Sequence, residues 1–331
     1  MTLTERLDRF QRRHPGAGLP LAVIYKFGDD SGTYLAALLT YYGFVSLFPL
    51  LLLFSTVLGF LVRGNAHLQQ QLLHSALQQF PVIGQQLSAP EHLGGGVTGL
   101  VVGIVVALYG GLGIAQAVQY AMNTAWAVPK HRRPNPFAAR GRSLLLLFTG
   151  GVAVLFTSVL SALGSSASAF GAQIDLGVHV LLTLVSVLIN SIVFVFAFTL
   201  ATPRRLTVRQ VLPGALAAAI AWQLLQSFGG RYVGHVVKNA SATNAVFALV
   251  LGLLAFIYLA ALAFVLCIEI NVVRVDRLWP RALLTPFTDD VELTAGDEKV
   301  YADAARSQSA KGFEQVDVRF DPPPRDDDVA S

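Results

Sequence analysis

Few residues of this chain are suited to chemistry inside its apolar segments, and one acid stands out among them. Between residues 31 and 275 the acidic residues are Glu91, Asp175 and Glu269, and only Glu269 lies within a long apolar run. An ionisable side chain in such a place serves as an ion-pair partner or as a proton carrier. The sequence favours an ion pair with an arginine. The candidate arginines are Arg204, Arg205, Arg209 and Arg274.

A second set of candidates is uncharged and follows helical spacing. His179, Thr183, Ser186 and Asn190 recur every three or four residues, so they share one face of a helix. Polar groups at this depth of an apolar run face the interior of a bundle or a water-filled pathway. Hydrogen bonding between helices is the structural alternative to a solute pathway.

Two further apolar runs add candidates for the same pathway. Tyr42, Ser46 and Pro49 share a helix face, and Pro49 predicts a kink because it lacks an amide hydrogen. A kinked helix with hydroxyl groups at the bend lines a cavity, or Ser46 satisfies the freed carbonyl and does no more. Gln223, in the apolar run Val211–Phe228, adds another polar side chain to the candidate pathway.

Motifs of common enzymes are absent from the sequence. There is no Gly-Lys dipeptide and hence no Walker A loop, no His-Glu-x-x-His and no Gly-x-Ser-x-Gly. The lone cysteine, Cys267, forms no intrachain disulfide, and His67 and His74 make only a weak metal pair. We therefore expect no catalysis, no cofactor and no bound metal.

The composition requires a membrane to position these residues. The 331 residues are 54% hydrophobic and 13% charged, with a mean hydropathy of +0.57, which excludes an ordinary soluble domain. A helix crosses a bilayer with about 20 apolar residues. Six stretches meet that length: Leu35–Val62, Val97–Val118, Ser143–Leu163, Leu176–Ala201, Val211–Phe228 and Ala245–Ile270. Backbone amides in lipid must be satisfied internally, so we predict an all-α bundle of six transmembrane helices over residues 35–275.

The basic residues predict how this bundle is oriented. The loops 122–142 and 202–210 are rich in arginine, whereas the alternate loops contain only Arg63, Arg231 and Lys238. The positive-inside rule then places both termini in the cytoplasm. Residues 1–34 form a cytoplasmic segment, and residues 3–27 are candidates for helices on the membrane surface.

Periodicity and composition predict the structure of the remaining segments. Small residues at every fourth position from Gly99 to Ala115 predict close helix packing, with Gly110 and Gly113 adding local flexibility. The amphipathic segment Asn65–Leu93 predicts a helix across the outer mouth, and Gly164–Gly177 a flexible external loop. Residues 276–331 are acidic and poor in apolar residues, so we predict a disordered cytoplasmic tail.

The motifs of the apolar part resemble the YihY/virulence factor BrkB family of bacterial inner-membrane proteins over about residues 20–275. The resemblance rests on Tyr41-Tyr42-Gly43-Phe44-Val45-Ser46-Leu47-Phe48-Pro49, on Met122-Asn123-Thr124-Ala125-Trp126, on Leu212-Pro213-Gly214-Ala215, and on Tyr232, Tyr258 and Glu269-Ile270-Asn271. It departs from the family at Cys267-Ile268, where Gly-Ala is usual. The resemblance implies six helices and an inner-membrane location. The family was once labelled ribonuclease BN, which the absence of a nuclease cluster opposes.

These observations favour a transporter or flippase-like protein for a lipid or another envelope-related solute. The expected partners are membrane lipids and an unidentified small solute, and an acidic tail excludes nucleic acid. The alternative is a scaffold or regulator of envelope assembly that transports nothing, in which the tail docks a partner. The sequence leaves the substrate and the oligomeric state open.

Overall fold

The computed structural model describes residues 3–61, 97–169, 176–238, 242–283 and 291–321, and all regular structure in these ranges is helical. The α-helices are α1 (Leu3–Arg13), α2 (Pro15–Asp29), α3 (Gly32–Leu61), α4 (Val97–Ala125), α5 (Pro136–Ala169), α6 (Leu176–Leu200), α7 (Val208–Lys238), α8 (Ala242–Asp276) and α9 (Ala295–Ser307). The all-α prediction is confirmed for this part of the chain. The predicted helix Asn65–Leu93, with His67 and His74, lies outside the described residues.

The long helices α3 to α8 coincide with the six apolar stretches. Among the described residues, four segments are long and apolar enough to cross a membrane: Pro136–Phe156, Val180–Leu200, Val208–Gly229 and Val250–Asp276. Their outward faces are apolar. On α6, Leu181, Leu184, Leu188 and Ile192 are each at least 60% exposed and recur at helical spacing. A stripe this apolar is stable against lipid rather than water.

The six long helices pack in a closed cycle. Along the cycle α3 contacts α4, α4 contacts α5, α5 contacts α6, α6 contacts α7, α7 contacts α8, and α8 returns to α3. Outside this cycle, α2 packs along α8. The core joins these elements through buried small and apolar side chains, including Ala22 of α2, Ala121 of α4 and Val265 of α8.

Glycines let α3 and α4 approach each other closely. A Cβ on Gly110 would lie 2.9 Å from the Ser46 Cα, and one on Gly113 would lie 2.4 Å from the Tyr42 ring. Since real Cβ atoms do not come so near, both positions require glycine. Both glycines lie where α3 packs closely on α4, and their predicted local flexibility stays a prediction. Helix α3 runs on through Pro49.

Two segments are more ordered than the sequence predicted. Helix α5 continues to Ala169, so the first residues of the predicted loop Gly164–Gly177 are helical. Helix α9 lies in the segment predicted to be disordered, and Thr294 caps it by a reciprocal capping box with Asp297. The prediction of disorder is wrong there. The segment has few apolar residues, but a buried ion network anchors it to the bundle. The last residues, 322–331, lie outside the described part.

Candidate functional site

Three ionisable side chains from two helices and one turn meet at the end of the bundle that carries the basic loops. Lys26 lies in the last turn of α2, Asp30 in the turn that follows α2, and Glu269 near the end of α8. The Lys26 side chain is 4% exposed, Asp30 is 8% exposed and Glu269 is fully buried. We call these residues the Lys26–Asp30–Glu269 cluster.

Lys26 is the cation of the cluster. Its ammonium group forms an ion pair with Asp30 and donates a further hydrogen bond to the Ala125 carbonyl, at the end of α4, at 3.3 Å. Desolvation acts to lower the pKa of Lys26, but the negative charges of Glu269, Asp30 and Asp29 outweigh it, so the pKa is raised. Lys26 therefore stays protonated in its buried position.

For Asp30, burial outweighs the charge of its partner in setting the pKa. Burial raises the pKa of Asp30 above its ordinary value, and the nearby charge of Asp29 raises it further. The charge of Lys26 and the hydrogen bond that Lys26 donates to Asp30 act in the other direction without cancelling the effect. A single ammonium group thus serves two buried carboxyl groups, those of Asp30 and Glu269.

The surroundings of Glu269 differ from those that its sequence position suggested. Neither of its carboxyl oxygens accepts a hydrogen bond from a nitrogen or hydroxyl donor among the described residues. The predicted arginine pairing is wrong: Arg204 instead binds Asp276 in a bidentate ion pair, with distances of 2.6 and 2.9 Å. The charged neighbours of Glu269 are Lys26 and Asp30, because α2 packs along α8.

A second buried ion network lies beside the cluster and ties the tail to the bundle. Arg281 is fully buried and binds Asp29 at 2.9 Å and Asp297 at 2.5 Å. Asp297 also accepts hydrogen bonds from the Ala282 amide at 2.9 Å, the Thr294 amide at 2.9 Å and the Thr294 hydroxyl at 2.7 Å. The network fixes α9 against the end of α2.

A cavity of about 420 Å³ opens beside the cluster. Residues of α2, α3, α4, α8 and α9 line it, and Lys26 and Asp30 are part of its wall. Tyr34 and Tyr120 add aromatic surface, and Arg133 lies over the Tyr120 ring at 5.6 Å. The cavity combines charged, hydroxyl and aromatic groups, which are the contacts that position an amphiphilic solute.

The residues predicted in α3 serve as packing groups. Ser46 is buried against α4 and donates to the Gly43 carbonyl at 3.1 Å, within its own helix. Tyr42 is half-buried against Gly113, and Pro49 is half-buried. Their positions favour the packing alternative over the cavity-lining one for Tyr42 and Ser46.

The residues predicted in α6 and α7 differ in depth. Thr183 is exposed, whereas Ser186, Asn190 and Gln223 are half-buried. Ser186 donates to the Leu182 carbonyl of its own helix at 2.9 Å. The cavity lies elsewhere, at the cluster, so the structure does not bring this stripe together with Glu269.

Sequence reasoning missed Lys26, Asp30, Arg281 and Asp297. One signal was available for Lys26, since it is the single cation in the otherwise apolar stretch from Leu19 to Gly28. Such an isolated charge requires a partner when its neighbours are buried. Nothing local pointed to Arg281, whose partners lie far away in the chain.

Comparison with known proteins agrees with the motifs. The family described as virulence factor BrkB matches residues 23–284. The chain is 29% identical over 247 residues to the "putative ribonuclease-like protein YfkH" of Bacillus subtilis (strain 168), covering 71% of this chain and 87% of that protein. It is 23% identical over 283 residues to the "inner membrane protein YhjD" of Escherichia coli (strain K12), covering 80% and 83%. No solved structure matches the chain significantly. With the apolar helices described above, these matches identify the chain as a membrane protein of the virulence factor BrkB family.

Proposed function

We propose that this protein is a transporter or flippase-like protein that moves a lipid or another envelope-related solute across the bacterial inner membrane. It would do so with six spans, α3 to α8, and with both termini in the cytoplasm. No step of this proposal requires catalysis. The acids between residues 31 and 275 are widely separated in sequence, and the charged neighbours of Glu269 are Lys26, Asp30 and Asp29.

The observation that carries the proposal is the cavity at the end of the helix cycle. It reaches α3, α4 and α8, and the ionisable Lys26 and Asp30 lie in its wall with Glu269 behind them. Ionisable groups inside a membrane bundle are costly and are characteristic of transport pathways. A structural bundle would gain nothing from an open cavity against such groups.

The proposed orientation has its own support. The cavity lies at the end of the bundle that also bears the basic 126–142 and 202–210 loops: Ala127 of the first loop lines it, and Arg204 of the second binds the lining residue Asp276. The positive-inside rule assigns this end to the cytoplasm. The name of the Escherichia coli relative, an inner membrane protein, supports the same location.

Native mass spectrometry in nanodiscs made from bacterial polar lipid tests this proposal. We expect the full chain to retain a specific lipid or metabolite, and Tyr120→Leu, which alters the cavity wall, to retain less of it. Tyr109→Leu makes the same change at an exposed position of the same helix and should behave like the wild type. Absence of any retained ligand, together with no acceleration of labelled-phospholipid exchange between leaflets in proteoliposomes, would contradict a flippase-like role.

The docked tail favours a second candidate, a scaffold that assembles envelope components. Helix α9 is ordered and turns Glu298, Lys299 and Arg306 to solvent, where a partner can bind. Deleting the tail does not separate the candidates, because it removes Asp297 from the buried Arg281. Reversing the charges of Glu298 and Arg306 leaves that network intact. A scaffold then loses its cross-linked partners, whereas a transporter keeps its ligand.

A further inference from the structure

We propose that Asp30 and Glu269 form a proton-binding site in which two carboxyl groups, beside the single ammonium group of Lys26, share one proton. Binding of this proton would be the ion-coupling step of transport. That second part rests on the proposed function, whereas the proton site itself does not.

The charge balance of the cluster is the first argument. Lys26 contributes one positive charge, and Asp30 and Glu269 contribute two negative charges when both are ionised. All three side chains are nearly or fully buried. An uncompensated charge is expensive in such a place, so one of two neighbouring carboxyl groups takes up a proton. Uptake changes the net charge of the cluster from minus one to zero.

The donors around each carboxyl group give the second argument. Asp297 is as deeply buried as Glu269, yet it accepts hydrogen bonds from Arg281, Ala282 and Thr294. Those donors supply what an ionised carboxylate needs. Glu269 has no nitrogen or hydroxyl donor among the described residues, and its polar neighbour is another carboxyl group. Two ionised carboxylates can only repel each other, so a donor within this pair appears only when one of them carries a proton.

Among the residues that the structure describes, the other charged groups near the cluster are already paired. Asp29 adds negative charge but is bound by Arg281, and Asp276 is bound by Arg204. Helix α4 contributes the Ala125 carbonyl, which is neutral and accepts a hydrogen bond from Lys26. Within the described ranges there is no group of three or more His, Cys, Asp or Glu side chains placed to hold a metal ion. The raised pKa of Asp30 agrees with a proton as the ligand.

The route of the proton follows from the position of the cavity. Asp30 lines the cavity, and Glu269 lies behind it on the membrane-spanning helix α8. A proton arriving from the cavity binds first at the Asp30 carboxylate and passes to Glu269 across the contact between the two groups. Release breaks the same O–H bond and restores both carboxylates, so the protons balance and no other reactant is needed.

Infrared difference spectroscopy of the full chain in nanodiscs, recorded between alkaline and mildly acidic pH, tests the site. We expect the wild type to gain a C=O stretching band of a buried protonated carboxyl group on acidification. Glu269→Gln should lose this band, because a neutral amide replaces the protonated acid. Asp30→Asn should lose or shift it as well, and this second variant decides the matter if Glu269→Gln fails to fold.

Glu298→Gln is the matched control, since the same chemical change is made at an exposed position. It should keep the band. A wild type without the band, or a band that persists in both Glu269→Gln and Asp30→Asn, overturns the proton site. Suppose that the band behaves as expected while proteoliposomes show no movement of labelled phospholipid between leaflets under a pH gradient. In that case the proton site stands and the proposed transport function falls.

Discussion

The side-chain oxygen of Asn271 accepts a hydrogen bond from the backbone amide of Gly214 at 2.8 Å, which joins α8 to the first turns of α7. The contact is buried. Pro213 precedes Gly214 and distorts the regular hydrogen bonding of the helix there. Asn271 thus provides the partner that a distorted helix turn needs inside a bundle.

The same contact requires glycine at position 214. A Cβ there would lie 2.2 Å from the Cys267 carbonyl oxygen and 2.4 Å from the Asn271 amide nitrogen. Two sequence motifs far apart in the chain, Leu212-Pro213-Gly214-Ala215 and Glu269-Ile270-Asn271, are therefore the two sides of one helix crossing. Since Glu269 lies two residues before Asn271, this crossing also fixes the position of the cluster.

Gly214→Ala should destabilise the protein, because the added methyl group forces α7 and α8 apart. We expect a loss of about 1–3 kcal/mol or more, as is usual for overpacked cores. The measurement is the thermal unfolding midpoint in detergent. Gly150→Ala is the control, since its Cβ would meet nothing within 4 Å. If both variants unfold at the wild-type temperature, the close crossing of α7 and α8 is refuted.

Arg281→Met should release α9 from the bundle. It leaves Asp297 and Asp29 without their shared cation, and breaking a buried ion pair costs about 3–5 kcal/mol. Hydrogen exchange of residues 295–307 should become faster, while exchange in the middle of α8 should change little. Arg319→Met removes an 87% exposed arginine and should leave α9 protected. Equal protection of α9 in Arg281→Met would speak against the anchoring network.

The stability of the protein should fall as pH rises. The folded-state pKa of Asp30 lies above its ordinary value of 3.8 and that of Lys26 above 10.5. For a raised pKa the stabilisation is complete below the ordinary value and is lost as pH rises through the folded-state pKa. The stabilisation from Asp30 is therefore lost as pH rises above 3.8, and that from Lys26 is lost only in the alkaline range above 10.5.

Asp30→Asn isolates the contribution of Asp30, because it leaves one carboxyl group facing one ammonium group. Unfolding midpoints measured from acidic to mildly alkaline pH should vary less in this variant than in the wild type. Asp317→Asn alters a 75% exposed aspartate and should reproduce the wild-type profile. A wild-type profile that is flat, or that rises with pH over this range, would be inconsistent with the raised pKa of Asp30.

Arg204→Lys should weaken the corner between α6 and α8 although the charge is kept. The guanidinium group binds both oxygens of Asp276 and lies 4.6 Å from the centre of the Trp126 ring. Lysine reproduces neither geometry. Because the Arg204 side chain is 37% exposed, the expected loss is only about 0.5–1 kcal/mol. Arg205→Lys, at an exposed position, should have no measurable effect on the unfolding midpoint.

Hydrophobicity predicted the helices well because it is a local property. Each apolar stretch recurs in the structure as a helix, and the boundaries of α6 agree with the prediction within a residue. The packing of α4 was predicted only in part. Its small residues were recognised, but which of them contact α3 depends on the rotation of the helix about its own axis. That rotation placed Gly110 and Gly113 at the contact.

The sequence by itself determined that this chain is an all-helical membrane protein, because the length and hydropathy of its apolar runs can be read locally. It also singled out Glu269, because a charge inside an apolar run is costly and is visible in the sequence. The tertiary structure alone decided what Glu269 meets. Lys26 and Asp30 lie more than two hundred residues away from it in sequence and reach it only because α2 packs along α8. Arg281 likewise orders a polar tail through distant partners. Electrostatic interactions depend on distances in space, and composition carries no information about those distances.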